Sequence, residues 1–253
     1  DDVYNHYKRY YAPNNATIVV VGDFETDKLL KMIKKHFEKI PKGTKPPEVN
    51  ILEPEQLGER RIYVKKEAQL SYFFAGYRTP NYQNGDIYAL TLLSNILSAG
   101  KSSRFYRSLV YEKKLALNAG GEYDGLSIGP ELFYFYGIPR PGKSLDDLEK
   151  SIYEEIERVK MEPVTDMELQ KAKNQEEASY ILGQDSIFYQ ARQIGAMETI
   201  GAGYKFIEEY VDNIRKVSKE DIMRVANKYL VEDRRTVGIL IPLKKEDKEG
   251  MEK

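Results

Sequence analysis

Few residues in this chain have the types and spacing that chemistry needs. Gly100-Lys101-Ser102 has the ending of a phosphate-binding loop, in which backbone N–H groups and a lysine cradle a nucleotide's phosphates. That loop needs a glycine five positions before Gly100, where Asn95 stands, and a strand leading in, whereas Asp86–Leu97 has helical periodicity. The triplet therefore reads as a turn that ends a helix. His6 and His36 are the only histidines, and neither has a second His three or four residues along a helix face with which to share a metal. The absence of cysteine removes thiolate nucleophiles, disulfides and Cys-based zinc sites. No Gly-x-Ser-x-Gly occurs, so a nucleophilic serine of that kind is not expected. Glu154, Glu155, Glu157 and the pair Glu176-Glu177 fall mainly off the apolar stripes of their predicted helices. They read as a solvated charged face, not as acids whose pKa values burial has split. No self-contained catalytic or metal centre is expected in these 253 residues.

The elements around these residues follow from periodicity. Residues 1–11 end a helix before Pro13, Thr17–Val21 is a β-branched run typical of a central strand, and Thr26–Ile40 is an amphipathic helix. Prolines 41, 46, 47 and 54 then mark a linker. Strands are predicted at Arg61–Lys65, Leu70–Tyr77, Leu115–Tyr123, Glu131–Ile138 and Thr236–Ile241. Helices are predicted at Asp86–Leu97, Ser103–Lys113, Ser144–Val159, 165–182, 185–199, 204–216 and 219–229. Thr165 with Glu168, and Ser218 with Asp221, have the spacing of helix-starting capping boxes. Within Phe133-Tyr134-Phe135-Tyr136, alternation puts one pair in a core and the other on the opposite sheet face. The tail Lys244–Lys253 is charged and expected to fray. Net charge is −1 with 41% hydrophobic residues, which allows a sizeable core and offers no basic face for nucleic acid. No apolar run approaches the roughly 18 residues of a membrane span.

Two distant stretches match without a gap. Asp2, Tyr10 and Thr17 stand 219 positions before Asp221, Tyr229 and Thr236, and most positions between them agree in size and polarity. A fixed-offset self-match marks duplicated units. The second copy closes a unit, whereas the first has almost nothing before it, so the chain is expected to open inside a domain. The predicted organisation is residues 1–40 as the end of a first domain, 41–58 as linker, and 59–253 as a complete second domain. Its class is α+β, a largely antiparallel sheet with helices on one face.

Tyr10-Tyr11-Ala12-Pro13-Asn14-Asn15-Ala16-Thr17 with Val19-Val20-Val21-Gly22-Asp23, the run Ser102–Ala116, and Val217-Ser218 … Asp221 with Lys228-Tyr229-Leu230 together resemble the pitrilysin, insulysin and mitochondrial processing peptidase family of zinc endopeptidases. The resemblance implies two homologous α+β halves, of processing-peptidase-like metallohydrolase type, around a peptide-sized chamber. It places the zinc ligands, two His of an inverted His-x-x-Glu-His motif and a later Glu, upstream of Asp1, and no zinc in this segment. Asp86–Leu97 would correspond to the zinc-motif helix, offering Tyr88, Leu92 and Asn95, and Thr165–Leu182 to the downstream Glu helix. Many members carry an Arg and a Tyr, seven apart, that bind substrate backbone. Here Tyr111 takes the Arg position, and Leu117 or Asn118 takes the Tyr position. The resemblance thus implies a zinc-bearing bacterial-type subunit whose partner, a second family subunit, supplies the pair, or else a homodimer. The expected function is the substrate-chamber and partner-contacting part of a zinc metalloendopeptidase, inactive alone; the alternative is a non-catalytic scaffold or substrate-binding subunit. Arg104, Tyr111, Glu112 and Asn118 are the candidate substrate or partner surface, with Arg104 equally able to fix its short helix against the sheet. The expected partner is a peptide or unfolded polypeptide. The compartment stays open between bacterial cytoplasm and periplasm.

Overall fold

The computed structural model describes residues 1–47 and 53–243; the middle of the expected linker and the tail Lys244–Lys253 lie outside the described residues. Contacts divide the chain into two units, Asp1–Pro54 with Tyr180–Glu208, and Glu55–Ser179 with the chain from Glu209 on.

The second unit is built on five strands: β1 (Arg60–Glu67), β2 (Tyr72–Thr79), β3 (Ala116–Tyr123), β4 (Glu131–Pro139) and β5 (Arg235–Leu243). Their order is β1-β5-β2-β4-β3. Only the β1–β5 pair is parallel. Period-2 alternation decides the faces: Phe73, Ala75 and Tyr77, Phe133 and Phe135, and Val237 and Ile239 are buried on one side. Against that side pack α3 (Ile87–Ser98), α4 (Leu145–Met161) and α8 (Lys219–Tyr229). Each brings its own stripe, such as Leu148, Ile152, Ile156 and Val159 of α4. Burying each such side chain is worth about 2 kcal/mol. Gly121 is required by this packing, because a Cβ there would sit 2.5 Å from the Phe135 ring.

The helix starts follow their predicted chemistry. Ser144 caps α4 through the Asp146 and Asp147 amides, and Ser218 with Asp221 forms a capping box on α8. Thr165 and Glu168 bond reciprocally at the start of α5 (Asp166–Gly183). Predicted helix Ser103–Lys113 becomes a π-helix over Tyr106–Glu112, where Lys113 N–H reaches the Ser108 carbonyl at 2.8 Å. α7 (Tyr204–Lys216) also matches its predicted span.

In the first unit lie α1 (Asp2–Tyr10), a 3₁₀ turn at Pro13–Asn15, α2 (Thr26–Phe37) and α6 (Ile187–Ile200), which stops at the left-handed Gly201. The expected strand Thr17–Val21 is not one: no described strand pairs with it, and an unpaired extended run forms no ladder. The helix and the turn of the repeat do correspond. The turn Pro13–Asn15 falls 219 residues before the turn Glu232–Arg234, each following a helix. No described helix is long and apolar enough to cross a membrane.

Candidate functional site

Two places in the second unit concentrate candidate residues. The first is the passage from the π-helix into β3. Lys114, the one described non-glycine residue with positive φ (51°), turns the chain there. Arg140 fastens the turn from below, donating from Nε to the Ala116 carbonyl (3.1 Å) and from Nη2 to that of Val110 (2.9 Å). β3 is an edge strand, and it bulges at Leu117, because Ala116 faces Pro139 while Asn118 faces Ile138. Tyr111 stands 71% exposed, and Glu112 lies 3.8 Å from Arg107. Asn118 is exposed, on the sheet face away from the helices. All three candidates are exposed, Tyr111 and Glu112 on the π-helix and Asn118 on the opposite sheet face. Arg104 does not point outward with them: its guanidinium grips the Glu168 carboxylate at 2.8 and 3.0 Å, tying the chain ahead of the π-helix to the start of α5. That hydrogen bond, against some burial, holds the Glu168 carboxyl down at about 2.

The second place is a cleft of about 300 Å³ between α3 and α5, lined by Thr91, Ser94, Asn95, Glu122, Glu176 and Tyr210 among others. Asn95 donates from Nδ2 to Glu176 Oε2 (2.8 Å) and the Tyr210 hydroxyl donates to Oε1 (2.8 Å). Burial, then the Glu176 charge, pushes the Tyr210 phenol well above its usual range. The two helices that the resemblance equates with the zinc-motif helix and the downstream Glu helix thus meet, but through an amide, a phenol and a carboxylate. The lining offers no imidazole or thiolate, and Glu176 is already taken by the Asn95 amide and the Tyr210 phenol, a set that does not fit zinc, which takes imidazole, thiolate and carboxylate ligands together. Among the described residues no group of three His, Cys, Asp or Glu could hold a metal ion. The His6 ring lies 4.6 Å from that of Tyr10, tilted by 36°, and His36 lies in the last turn of α2.

Some readings of the sequence need correction. Glu155 is 1% exposed and Glu176 is partly buried, so neither belongs to a solvated face. Glu155 lies three residues after Ile152, and Glu176 four after the buried Ala172, so helical spacing carried the signal. Glu177, also of intermediate exposure, pairs with Arg215. At Gly100-Lys101-Ser102 the chain leaves α3, Gly100 is left-handed, and Ser103 bonds back to its carbonyl, a helix-ending turn as expected.

The sheet face away from the helices carries rings as well. Tyr72 stacks on Tyr136 at 6.4 Å and Phe74 on Tyr134 at 5.1 Å, all half-buried, while Leu132, Ile62 and Val64 are exposed. A hydrogen bond from Tyr134 to Glu122 pushes that phenol up to about 12.

A five-stranded, mostly antiparallel sheet with helices covering one face and aromatic rings on the other is the architecture of M16-peptidase-like folds. The family model described as "Peptidase M16 inactive domain" matches residues 1–176, and the chain belongs to the M16 peptidase family. It is 30% identical over 244 residues to the zinc protease PqqE of Helicobacter pylori, which covers 95% of this chain and 54% of that protein. The crystal structure of a protease from Helicobacter pylori superposes with a TM-score of 0.89 at 30% identity, covering 95% of this chain and 58% of the other. A chain of Complex III2 from Candida albicans shares the fold alone, with a TM-score of 0.75 at 15% identity over 94% of this chain and 58% of that one. The chain spans about half the length of the curated relatives it matches, which are named zinc proteases.

Proposed function

We propose that this chain is the non-metal half of a zinc endopeptidase, walling the chamber where peptides are cut and contacting a partner subunit. The observation that carries the reading is the sheet of the second unit. Helices seal one face, and the other presents the Tyr72–Tyr136 and Phe74–Tyr134 stacks beside the edge strand β3. A bound peptide can add to β3 as a further strand and lay alternate side chains on the rings. In this reading residues 1–40 close a preceding zinc-bearing half, 41–58 link, and 59–253 form the complete second half, with the zinc ligands outside this chain. Tyr111, Glu112 and Asn118 face the substrate or partner, Arg104 positions the π-helix behind them, and Tyr111, standing where many relatives carry Arg, leaves the backbone-binding pair to a second family subunit. That relatives are named zinc proteases, and that the fold occurs within Complex III2, supports this reading.

The test uses the natural-length protein. Its reading frame is expected to hold His-x-x-Glu-His and a later Glu before Asp1, and its hydrolysis of a labelled unfolded peptide to be abolished by a chelator. The F74A/Y134A variant, assayed well below its lowered melting temperature, should raise KM about tenfold, the worth of two lost ring contacts with the peptide. Peptide binding as tight as in the parent refutes the chamber-wall role. Loss of the zinc trio with binding retained makes the protein the non-catalytic scaffold instead.

A further inference from the structure

The internal repeat shows what should cover α1. On α8 and just past it, Ile222, Val225, Ala226, Tyr229 and Leu230 are buried against α3, α4 and the sheet. Their counterparts 219 residues earlier are Val3, His6, Tyr7, Tyr10 and Tyr11. Ile222 is 0% exposed and Val3 85%; Ala226 is 0% exposed and Tyr7 55%. The same holds in the next segment, where Val237 on β5 is 0% exposed and its counterpart Ile18 is 49% exposed. β5 has a strand on each side, while Thr17–Val21 has none among the described residues. An apolar face repeated in register, buried in one copy and open in the other, is a face shaped for a partner like the one its twin already has.

The twin also shows the polar anchor. Asp86, at the start of α3, accepts from the Tyr229 hydroxyl (2.6 Å), Lys228 Nζ (2.8 Å) and Arg224 Nη1 (2.7 Å). In the first copy the matching positions are Tyr10, Arg9 and Asn5, again a phenol, a cation and a side-chain amide donor. We propose that α1 docks against the N-terminus of a partner helix in a preceding α+β half, and that Tyr10 and Arg9 donate to a side-chain oxygen, of Asp or Asn, that opens that helix. The proposal rests on the two-half reading above and adds the chemistry of the joint. Cations and hydroxyls at a helix C-terminal turn suit this role, because α1 carries Lys8 and Arg9 in its last turn while the incoming helix N-terminus favours an acceptor.

Hydrogen–deuterium exchange on the 253-residue chain and on the natural-length protein tests it. The amides of α1 and of residues 17–21 should be unprotected in the first and about a hundredfold or more protected in the second. Within the natural-length protein, Y10F and R9M should each lower that protection about tenfold, as a buried hydrogen bond to a partner oxygen is lost, with R9K restoring part of it. Protection that appears in full yet ignores Y10F and R9M overturns the proposed anchor and leaves the two-half reading standing. An α1 still unprotected in the natural-length protein overturns the two-half reading itself. Protection of the 253-residue chain that rises with its concentration assigns the face to a second copy, and overturns the proposal.

Discussion

Replacing Asp86 by Asn should cost this protein about 2 kcal/mol at neutral pH and roughly half that at pH 3. Asp86 is 8% exposed, yet it remains a carboxylate. Burial pushes its pKa up, but the donors Lys228, Tyr229 and Arg224 outweigh burial and bring it down to about 2, from an ordinary 3.8. The carboxyl is thus more acidic folded than unfolded, so its contribution is complete above the unfolded value and fades as pH falls through the folded one. A drop of nearly two units corresponds to about 2.4 kcal/mol at pH 7, of which about 1.3 kcal/mol remains at pH 3. Asn keeps one oxygen for Tyr229 and Lys228 but turns an N–H₂ toward Arg224, which can fall back on Asp221 at 3.1 Å. Urea unfolding of parent and variant between pH 7 and pH 3 measures the difference directly, and in a chain this size about 2 kcal/mol lowers Tm by roughly 4–8 °C. A deficit that is the same at pH 3 as at pH 7, or no deficit at pH 7, refutes the reasoning.

Arg104→Met should destabilise the second unit by about 3 kcal/mol, since it strands Glu168 in a half-buried site, and Arg104→Lys should restore little of this because a point charge cannot grip both oxygens; thermal unfolding measures it. Ser218→Ala removes one arm of the α8 capping box and should cost about 1 kcal/mol in urea unfolding. Gly121→Ala should cost about 1–3 kcal/mol by driving a methyl into the Phe135 ring, measured the same way. If a partner supplies the backbone-binding pair, Y111R/L117Y in the natural-length protein should raise its partner-independent peptide hydrolysis about tenfold, one charge-assisted contact's worth. Unchanged hydrolysis counts against that division of labour.

What could be read in the sequence, and what could not, divides along the range of the forces involved. The strand spans, the helix stripes and both capping boxes depend on neighbours within a few residues, and the residues there announce them. The strand expected at Thr17–Val21 had the right composition, but a ladder is a property of two segments, and composition reports on one. The site shows the same division. The sequence does not announce the bulge in β3, where Leu117 has no partner across the sheet because Ala116 faces Pro139 and Asn118 faces Ile138. Nor could the sequence tell that Asn95, Glu176 and Tyr210, separated by 81 and 34 positions, bond to one another. The apolar spacing of α5 put Glu176 on the inner face, yet only a partner able to donate explains why an acid is tolerated there. Arg104 makes the point most sharply. Its charge and its place beside a family motif left a substrate-facing and a structural role equally open, and the bidentate grip on Glu168, 64 residues away, is a pairing across the fold that neighbouring residues cannot announce.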